Sequence, residues 1–448
     1  MKRDGLYMRK KAEKSVDFAN DSIKSILFKL APPVMLAQLI QALYNIVDSY
    51  FIGKYSETGL TALSIIYPVQ LLMIALSVGT GVGINTLMSY LSGIGKKKDS
   101  DEVAGTGTPL GIAMWIIFAA AFYFLMPAYA RMSSDSPDVV REVIIYGRIV
   151  CVFSFGLFLE SIWTKVLQAE GNMKLPMIAQ IAGAIVNIIL DSLLIFGFGF
   201  IPAMGIAGAA IATVSGQIVA AVIVMFKGFR KSPSLSRYPV YIRRAYYLGF
   251  PNILMQSAYT FYILGLNLIL KGFSDQAVTA LGLYYKWQTF FFIPLGAMQS
   301  CIVPVISFNY GAGNGKRCVN TLIDSVIFGM VLMSVGTLCF ELIPSQMMNV
   351  FSNDSEVISI GSHALRVIGV SFIPMVTSLI FPVFFQALGK SFKSSMLTIL
   401  RTVFLFVPLG WIFSRAGLYY FWFTFPCTEL ITSVAGYIMY RKTSLGKI

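Results

Sequence analysis

Twelve long apolar segments separated by short polar breaks are the feature that most limits what this chain can fold into. A helix needs about 20 residues to cross a bilayer, and each segment reaches that length. Only 12% of the residues are charged, whereas soluble domains have roughly 25%. We therefore exclude an ordinary soluble enzyme and predict an all-α integral membrane protein of twelve transmembrane helices. The predicted spans are residues 27–52, 61–94, 104–129, 139–168, 174–199, 204–227, 244–271, 277–309, 318–343, 357–387, 394–414 and 417–440.

Lysine and arginine residues fall mostly on one side of this predicted bundle. With the N-terminus inside, the cytoplasmic segments contain 25 of them and the opposite segments contain 5, which satisfies the positive-inside rule. The net charge of +14 is then a topology signal, and we expect no nucleic-acid partner. The basic N-terminus has no small-residue cleavage site after its first apolar run, so that run stays as a span. We expect a monomeric multi-pass protein of the plasma membrane with both termini cytoplasmic.

An internal repeat relates the two halves of the chain at a constant offset of 218 residues. We predict an N-terminal lobe at 1–227, a cytoplasmic linker at 228–243 and a C-terminal lobe at 244–448. Because each half has six spans, both copies cross in the same direction, with a cleft between two lobes. This arrangement is typical of alternating-access transporters, and we prefer it to a duplicated scaffold without transport. Matched positions include Pro33 with Pro251, Gln38 with Gln256, Tyr44 with Tyr262, Arg148 with Arg366, and Gln168 with Gln386.

Carboxylates inside the spans are the main functional candidates, because an ionisable group in a membrane costs several kcal/mol. Asp48 and Asp191 are both in the first half, and the repeat places Leu266 and Leu409 opposite them. The lobes are therefore alike in fold but different in chemistry, as expected if one lobe holds the coupling ion. The acids of the apolar blocks are Asp48, Glu160, Asp191 and Glu429, with Asp324 and Glu341 nearer span ends.

Depth and helical spacing predict a shared site at Asp48 and Asp191. At 1.5 Å rise per residue the two acids lie within roughly 6 Å of the same depth, and Tyr146 is at a comparable level. Asn187 precedes Asp191 by four residues, so both share one helix face. Burial beside a second carboxylate favours the protonated form, and the flanking oxygens equally suit Na+. The residues leave H+ and Na+ open, and a buried acid bonded to a neighbouring helix is the structural alternative.

The remaining polar residues in the spans give weaker expectations. Glu160 and Glu429 either line the cavity or pair structurally, and Lys286 either contacts substrate or extends its amine to the interface. The five cysteines are scattered without a metal or disulfide pattern, and His363 is the single histidine. We therefore expect no cofactor, no bound transition metal and no enzymatic activity. Candidate substrate contacts in the cleft are Gln41, Tyr44, Gln256, Tyr259 and Asn267.

Three sequence stretches together resemble motifs of the multidrug and toxic compound extrusion (MATE) family. They are Tyr44-Asn45-Ile46-Val47-Asp48 in span one, Gln168–Thr213 across spans five and six, and Asn309-Tyr310-Gly311-Ala312-Gly313-Asn314 after span eight. The resemblance implies a V-shaped cavity between two lobes and extrusion of cationic or amphipathic compounds driven by H+ or Na+. It is similar to the branch whose coupling site lies in the N-lobe, at the positions of Asp48, Tyr146, Asn187 and Asp191. The amide that relatives have in span four is replaced here by Ser154 or Ser161.

A flippase for lipid-linked oligosaccharides or lipids is the alternative function that we weigh against drug export. Such an exporter would share the repeat but would favour a more basic cavity. Four cations in or near the spans support this alternative, and they are Arg148, Lys286, Arg366 and Arg401.

Overall fold

The computed structural model describes residues 16–199 and 202–443. The basic residues that we used from positions 2–14, and Lys447, lie outside this part of the chain. The described residues form α-helices connected by short turns. The first half contains α1 (Ile23–Tyr55), α2 (Glu57–Gly93), α3 (Lys97–Ser133), α4 (Pro137–Val152), α5 (Phe155–Ala169), α6 (Lys174–Phe196) and α7 (Ile206–Gly228).

The second half contains α8 (Tyr238–Lys271), α9 (Asp275–Gly311), α10 (Gly315–Leu342), α11 (Pro344–Asn349), α12 (Ser355–Gly369), α13 (Phe372–Ala387), α14 (Ser391–Ile399), a π-helix (Leu400–Phe406), α15 (Val407–Ser414), α16 (Leu418–Phe421) and α17 (Thr424–Arg441). We call α1–α7 the N-lobe and α8–α17 the C-lobe. Residues 238–243, which we predicted to be linker, form the first turns of α8 because a short 3-10 turn at Leu235–Arg237 leads straight into it.

The twelve predicted spans correspond to the helices of the two lobes. Among the described residues, nine helices are long and apolar enough to cross a membrane, and two bent pairs raise the number to eleven. The twelfth predicted span corresponds to α17, which has 18 residues and is less apolar because it contains Glu429 and ends on Arg441. The all-α membrane fold with two six-helix lobes is thus confirmed.

The repeat is visible in backbone details as well as in sequence. Helices α4 and α5 meet at a bend of 43°, and the corresponding helices α12 and α13 meet at a bend of 57°. Gly171 and Gly389, which the 218-residue offset pairs, both have positive φ, +78° and +72°. Glycine adopts this conformation without a Cβ penalty, and in both lobes it ends the second helix of the bent pair.

The lobes contact each other mainly through α1 and α2 of the N-lobe and α8 and α9 of the C-lobe. Glycines allow backbone contact at this seam: a Cβ at Gly83 would collide with the carbonyl oxygen of Ala245, and one at Gly249 with that of Gly79. A second pair of such contacts joins Gly93 to Phe308 and Gly311 to Tyr90. All lie toward the face where α1 begins and α17 ends, which we call the terminal face.

The residues before α1 cross from the N-lobe onto the C-lobe at this face. The Phe18 carbonyl oxygen accepts hydrogen bonds from Asn309 Nδ2 at 3.1 Å and from the Arg317 guanidinium at 2.9 Å. Arg317 also donates to the carbonyl oxygen of Asp21 at 2.7 Å. The Phe18 ring packs edge-on against Phe308 at 5.9 Å. Residues 16–22 therefore form a strap that ties the two lobes together.

Replacing Gly83 with valine is expected to destabilise the seam between the lobes. The new side chain would collide with main-chain atoms of α8, which cannot move aside as a flexible side chain can. Overpacking of this kind costs about 1–3 kcal/mol. Thermal denaturation of the purified protein measures the effect. Gly282→Val in α9 is the matched control, because nothing lies within 4 Å of a Cβ at that position; equal losses in both variants would contradict the seam.

Candidate functional site

A cavity of about 550 Å³ lies within the N-lobe. It is of the size that binds drug-like ligands, which is 300–1,000 Å³ for typical pockets. Six of the seven N-lobe helices contribute to its wall, and α3 does not. Its polar and aromatic lining residues include Gln41, Tyr44, Asn45, Asp48, Tyr67, Gln70, Tyr146, Glu160, Gln180, Asn187, Thr213 and Gln217.

The structure brings the two predicted coupling acids into one neighbourhood. Asp48 on α1 lines the cavity and is 6% exposed, whereas Asp191 on α6 is completely buried. The two carboxylates are within electrostatic range of each other. The phenol of Tyr146 on α4 is within range of both. Three helices therefore deliver two acids and a phenol to one place, with little water to screen the carboxylates.

Several polar atoms of this group have no hydrogen-bond partner among the described residues. They are Asp48 Oδ1, both carboxylate oxygens of Asp191, and both amide atoms of Asn187. Buried polar atoms are usually hydrogen-bonded, and two adjacent carboxylates repel unless a proton or cation offsets their charge. Oxygen atoms of this kind also suit a hard cation. The group can therefore take up either a proton or Na+.

Glycines fix the helix packing that places Asn187 and Asp191. A Cβ at Gly183 would lie 2.7 Å from the carbonyl oxygen of Gly216, and a Cβ at Gly216 would lie 2.6 Å from that of Gly183. Helices α6 and α7 thus touch through their backbones. Asn187 and Asp191 follow Gly183 at intervals of four residues, so they lie along the same side of α6. The helix contact consequently determines where these polar side chains lie.

The five predicted substrate contacts divide between the lobes. Gln41 and Tyr44 line the N-lobe cavity. Gln256, Tyr259 and Asn267 are on α8 and do not line it. Gln256 donates to the side chain of Asn252 at 2.7 Å, and Tyr259 packs edge-on against Tyr262 at 5.4 Å.

Sequence reasoning missed the partners of Tyr146. Gln70 Nε2 on α2 donates to the Tyr146 hydroxyl at 3.3 Å, and Thr213 on α7 is also within hydrogen-bond range. Both are polar side chains in largely apolar spans, but several other polar residues share those spans, and no spacing rule pairs any of them with α4. Ser154 and Ser161, the expected replacements for an amide, bond elsewhere: Ser154 to the Cys151 carbonyl oxygen and Ser161 to Ser77.

The C-lobe has a buried ion pair where the N-lobe has unpaired acids. Arg401 of the π-helix donates to both carboxylate oxygens of Glu429 on α17, at 2.6–3.1 Å. The hydroxyl of Ser378 on α13 also donates to Glu429. The arginine is stacked near Phe406, whose ring centre is 4.9 Å from its Cζ. Of the two roles that we considered for Glu429, the structure shows structural pairing.

The other cations on which the flippase alternative depended lie away from the N-lobe cavity. The Arg148 guanidinium is over the ring of Tyr123, and Lys286 Nζ is 5.0 Å from the ring centre of Phe351. Arg366 is exposed at the end of α12. No arginine or lysine lines the N-lobe cavity in the described part of the chain. The five cysteines are unpaired, and residues 16–199 and 202–443 contain no group of three or more His, Cys, Asp or Glu side chains placed to hold a metal.

Comparison with known proteins gives one family and a consistent set of relatives. The MatE family model matches residues 33–193 and 251–412, one copy in each lobe. A FAD transporter of Shewanella oneidensis is 24% identical over 431 residues, covering 94% of this chain and 95% of the relative. The multidrug export protein MepA of Staphylococcus saprophyticus is 23% identical over 404 residues, covering 88% of each chain.

Solved structures of transporters share the fold. A MOP superfamily transporter from Pyrococcus furiosus superimposes with a TM-score of 0.90 at 22% identity, covering 98% of this chain and 100% of the other. An outward-facing multidrug resistance transporter gives the same TM-score at 21% identity, with 98% and 100% coverage.

Proposed function

Since the chain belongs to the MATE family of membrane transporters and is not an enzyme, we propose that it exports small organic compounds in exchange for H+ or Na+. The observation that carries this proposal is a pair of buried carboxylates: Asp48 at the wall of the N-lobe cavity, and Asp191, which is fully buried within electrostatic range of it. Asp48 Oδ1 and both carboxylate oxygens of Asp191 lack hydrogen-bond partners among the described residues. Burying two acids in a membrane protein costs solvation free energy. Reversible binding of a cation is a function that explains why both acids are there.

Coupling follows from competition within one lobe. A proton or Na+ at Asp48 and Asp191 offsets the repulsion between the two carboxylates. A cationic substrate near Gln41 and Tyr44 responds to the same negative charge, so each ligand weakens the binding of the other. Such coupling is reciprocal, and inward flow of the ion can therefore drive outward flow of the compound as the lobes rock about the cavity.

The charge distribution supports placing the terminal face in the cytoplasm. Of the 25 lysines and arginines counted for the cytoplasmic segments, 18 are in the described residues and belong to segments at that face, against 5 in the opposite segments, as the positive-inside rule requires. We place the protein in the plasma membrane as a monomer. In this orientation the glycine seam closes the cytoplasmic side between the lobes.

The chemistry of the cavity favours organic cations over the two anionic alternatives. Asp48 and Glu160 line it, and no arginine or lysine does so in the described residues. Phosphate groups of a dinucleotide, such as the compound named for the Shewanella oneidensis relative, would be repelled there. The flippase alternative depended on Arg148, Lys286, Arg366 and Arg401, which all lie away from this cavity.

Efflux from vesicles with separately imposed gradients tests the proposal. The purified protein is reconstituted into liposomes loaded with ethidium, with either a pH gradient or a Na+ gradient across the membrane. We expect concentrative ethidium movement with one of the two gradients and none without a gradient or in protein-free liposomes. Movement that is the same with and without both gradients would overturn ion-coupled export.

A further inference from the structure

The buried ion pair of the C-lobe has a counterpart in the N-lobe that lacks its cation. The repeat offset of 218 residues places Ser378 opposite Glu160, Arg401 opposite Gly183, and Tyr262 opposite Tyr44. In the C-lobe, the Arg401 guanidinium is bound by Glu429 and faces the ring of Tyr262. The Ser378 hydroxyl donates to Glu429 and so orients it. In the N-lobe the carboxylate is Glu160 itself, and a glycine stands where the arginine would be.

Glu160 is a buried carboxylate that forms no salt bridge among the described residues, although the Lys165 ammonium is within electrostatic range of it. It is 6% exposed and lines the N-lobe cavity. Its Oε1 accepts hydrogen bonds from Thr164 at 2.7 Å and from Gln180 Nε2 at 2.9 Å. Lys165, the cation on the same helix, instead donates to Gln168 at 2.8 Å and forms no salt bridge with Glu160 in the described structure.

The surroundings of Glu160 suit an organic cation. Tyr44 lines the same cavity, and its phenol is within electrostatic range of the Glu160 carboxylate. Cations are attracted to the faces of aromatic rings, and the C-lobe shows this combination in use, with the Arg401 Cζ 5.9 Å from the Tyr262 ring centre. The small residues Gly183, Gly216 and Ala220 also line this cavity, where α6 and α7 pack backbone to backbone.

We propose that Glu160 is the counter-charge for the cationic group of the substrate, with Tyr44 as its aromatic neighbour. This rests on the proposed export of organic cations and adds a division of labour within the cavity. Asp48 and Asp191, which have three buried carboxylate oxygens without hydrogen-bond partners among the described residues, bind the coupling ion. Glu160, which Thr164 and Gln180 hold in a fixed orientation, selects the substrate by charge.

Equilibrium binding without any ion gradient tests the assignment. Calorimetry compares the cation tetraphenylphosphonium with the neutral triphenylphosphine oxide on the full-length protein in detergent. Loss of one partner of a desolvated charge pair costs about 2 kcal/mol or more, so Glu160→Gln is expected to weaken cation binding roughly thirtyfold. Its amide oxygen can still accept from Gln180, and binding of the neutral ligand is expected to stay unchanged. Glu160→Asp, which keeps the charge, is expected to restore most of the cation preference.

Matched variants separate this inference from the transport proposal. Glu341→Gln removes an exposed carboxylate of α10 outside the cavity and is expected to bind both ligands as the wild type does. The ratio of the two dissociation constants is the readout, since it does not depend on the folded fraction of a variant. An unchanged ratio in Glu160→Gln, equal losses for both ligands, or no cation preference in the wild type would overturn the inference. Wild-type binding with the expected ratio but without gradient-driven efflux would instead overturn the transport proposal alone.

Discussion

Asp191→Asn is expected to abolish concentrative efflux in reconstituted vesicles while leaving downhill substrate movement in place. The amide keeps the shape of the carboxyl group but cannot be ionised, so it cannot bind and release a cation between the two sides. A ligand shifts a conformational equilibrium only if it binds one state more tightly than the other. Without ion binding at Asp191, the ion gradient would therefore no longer drive the conformational change. Initial rates of ethidium movement, with and without the effective gradient, measure this separation.

The control for Asp191→Asn is Asp324→Asn on α10, a half-buried acid in the other lobe that does not line the N-lobe cavity. We expect its gradient-driven rate to match the wild type. Retention of gradient-driven efflux in Asp191→Asn would contradict the coupling assignment. Loss of both gradient-driven and downhill movement would show that Asp191 is needed for the fold or for substrate entry instead.

Glu429→Gln is expected to cause the largest loss of stability. It leaves the Arg401 guanidinium, 8% exposed at its side chain, without its countercharge inside the C-lobe. Removing one partner of a buried pair costs about 3–5 kcal/mol, because the remaining charge stays desolvated. Thermal denaturation of the detergent-solubilised protein should show a clearly lower midpoint.

The double variant Arg401→Met with Glu429→Leu tests the physical cause. Replacing both charges by apolar groups of similar volume is often neutral or stabilising, so we expect most of the lost stability to return. A double variant that is no more stable than Glu429→Gln would show that the pair stabilises the C-lobe by more than mutual compensation. That additional stabilisation would then come from the packing around Arg401 in the π-helix.

The sequence predicted the fold well because hydropathy and repetition are properties of single helices. The spans, the two lobes and the offset of 218 residues were all visible in the order of the residues. The bends between α4 and α5 and between α12 and α13, and the π-helix at Leu400–Phe406, were not predicted. The bend between α4 and α5 contains no proline, so it depends on packing between helices and has no local sequence signal. Pro374 lies in the first turn of α13, directly after the other bend. Because proline has no backbone N–H to bond back to α12, that bend did have a sequence signal.

Only those site residues could be predicted whose cost of burial and depth in the membrane can be judged from the sequence. Asp48 and Asp191 attract notice because acids are rare in apolar spans, and the depth estimate placed them at similar levels. Which helix faces which is a tertiary property. The hydrogen bond from Gln180 to Glu160 and the bonds from Arg401 to Glu429 join different helices. No periodicity within one helix could predict these partners.

The strap at residues 16–22 limits how the two lobes can move apart. Its carbonyl groups are bound by Asn309 and Arg317 of the other lobe, so an opening of the glycine seam that moves the strap with the N-lobe must break these hydrogen bonds. The strap thus adds the free energy of these hydrogen bonds to the cost of separating the lobes at that face.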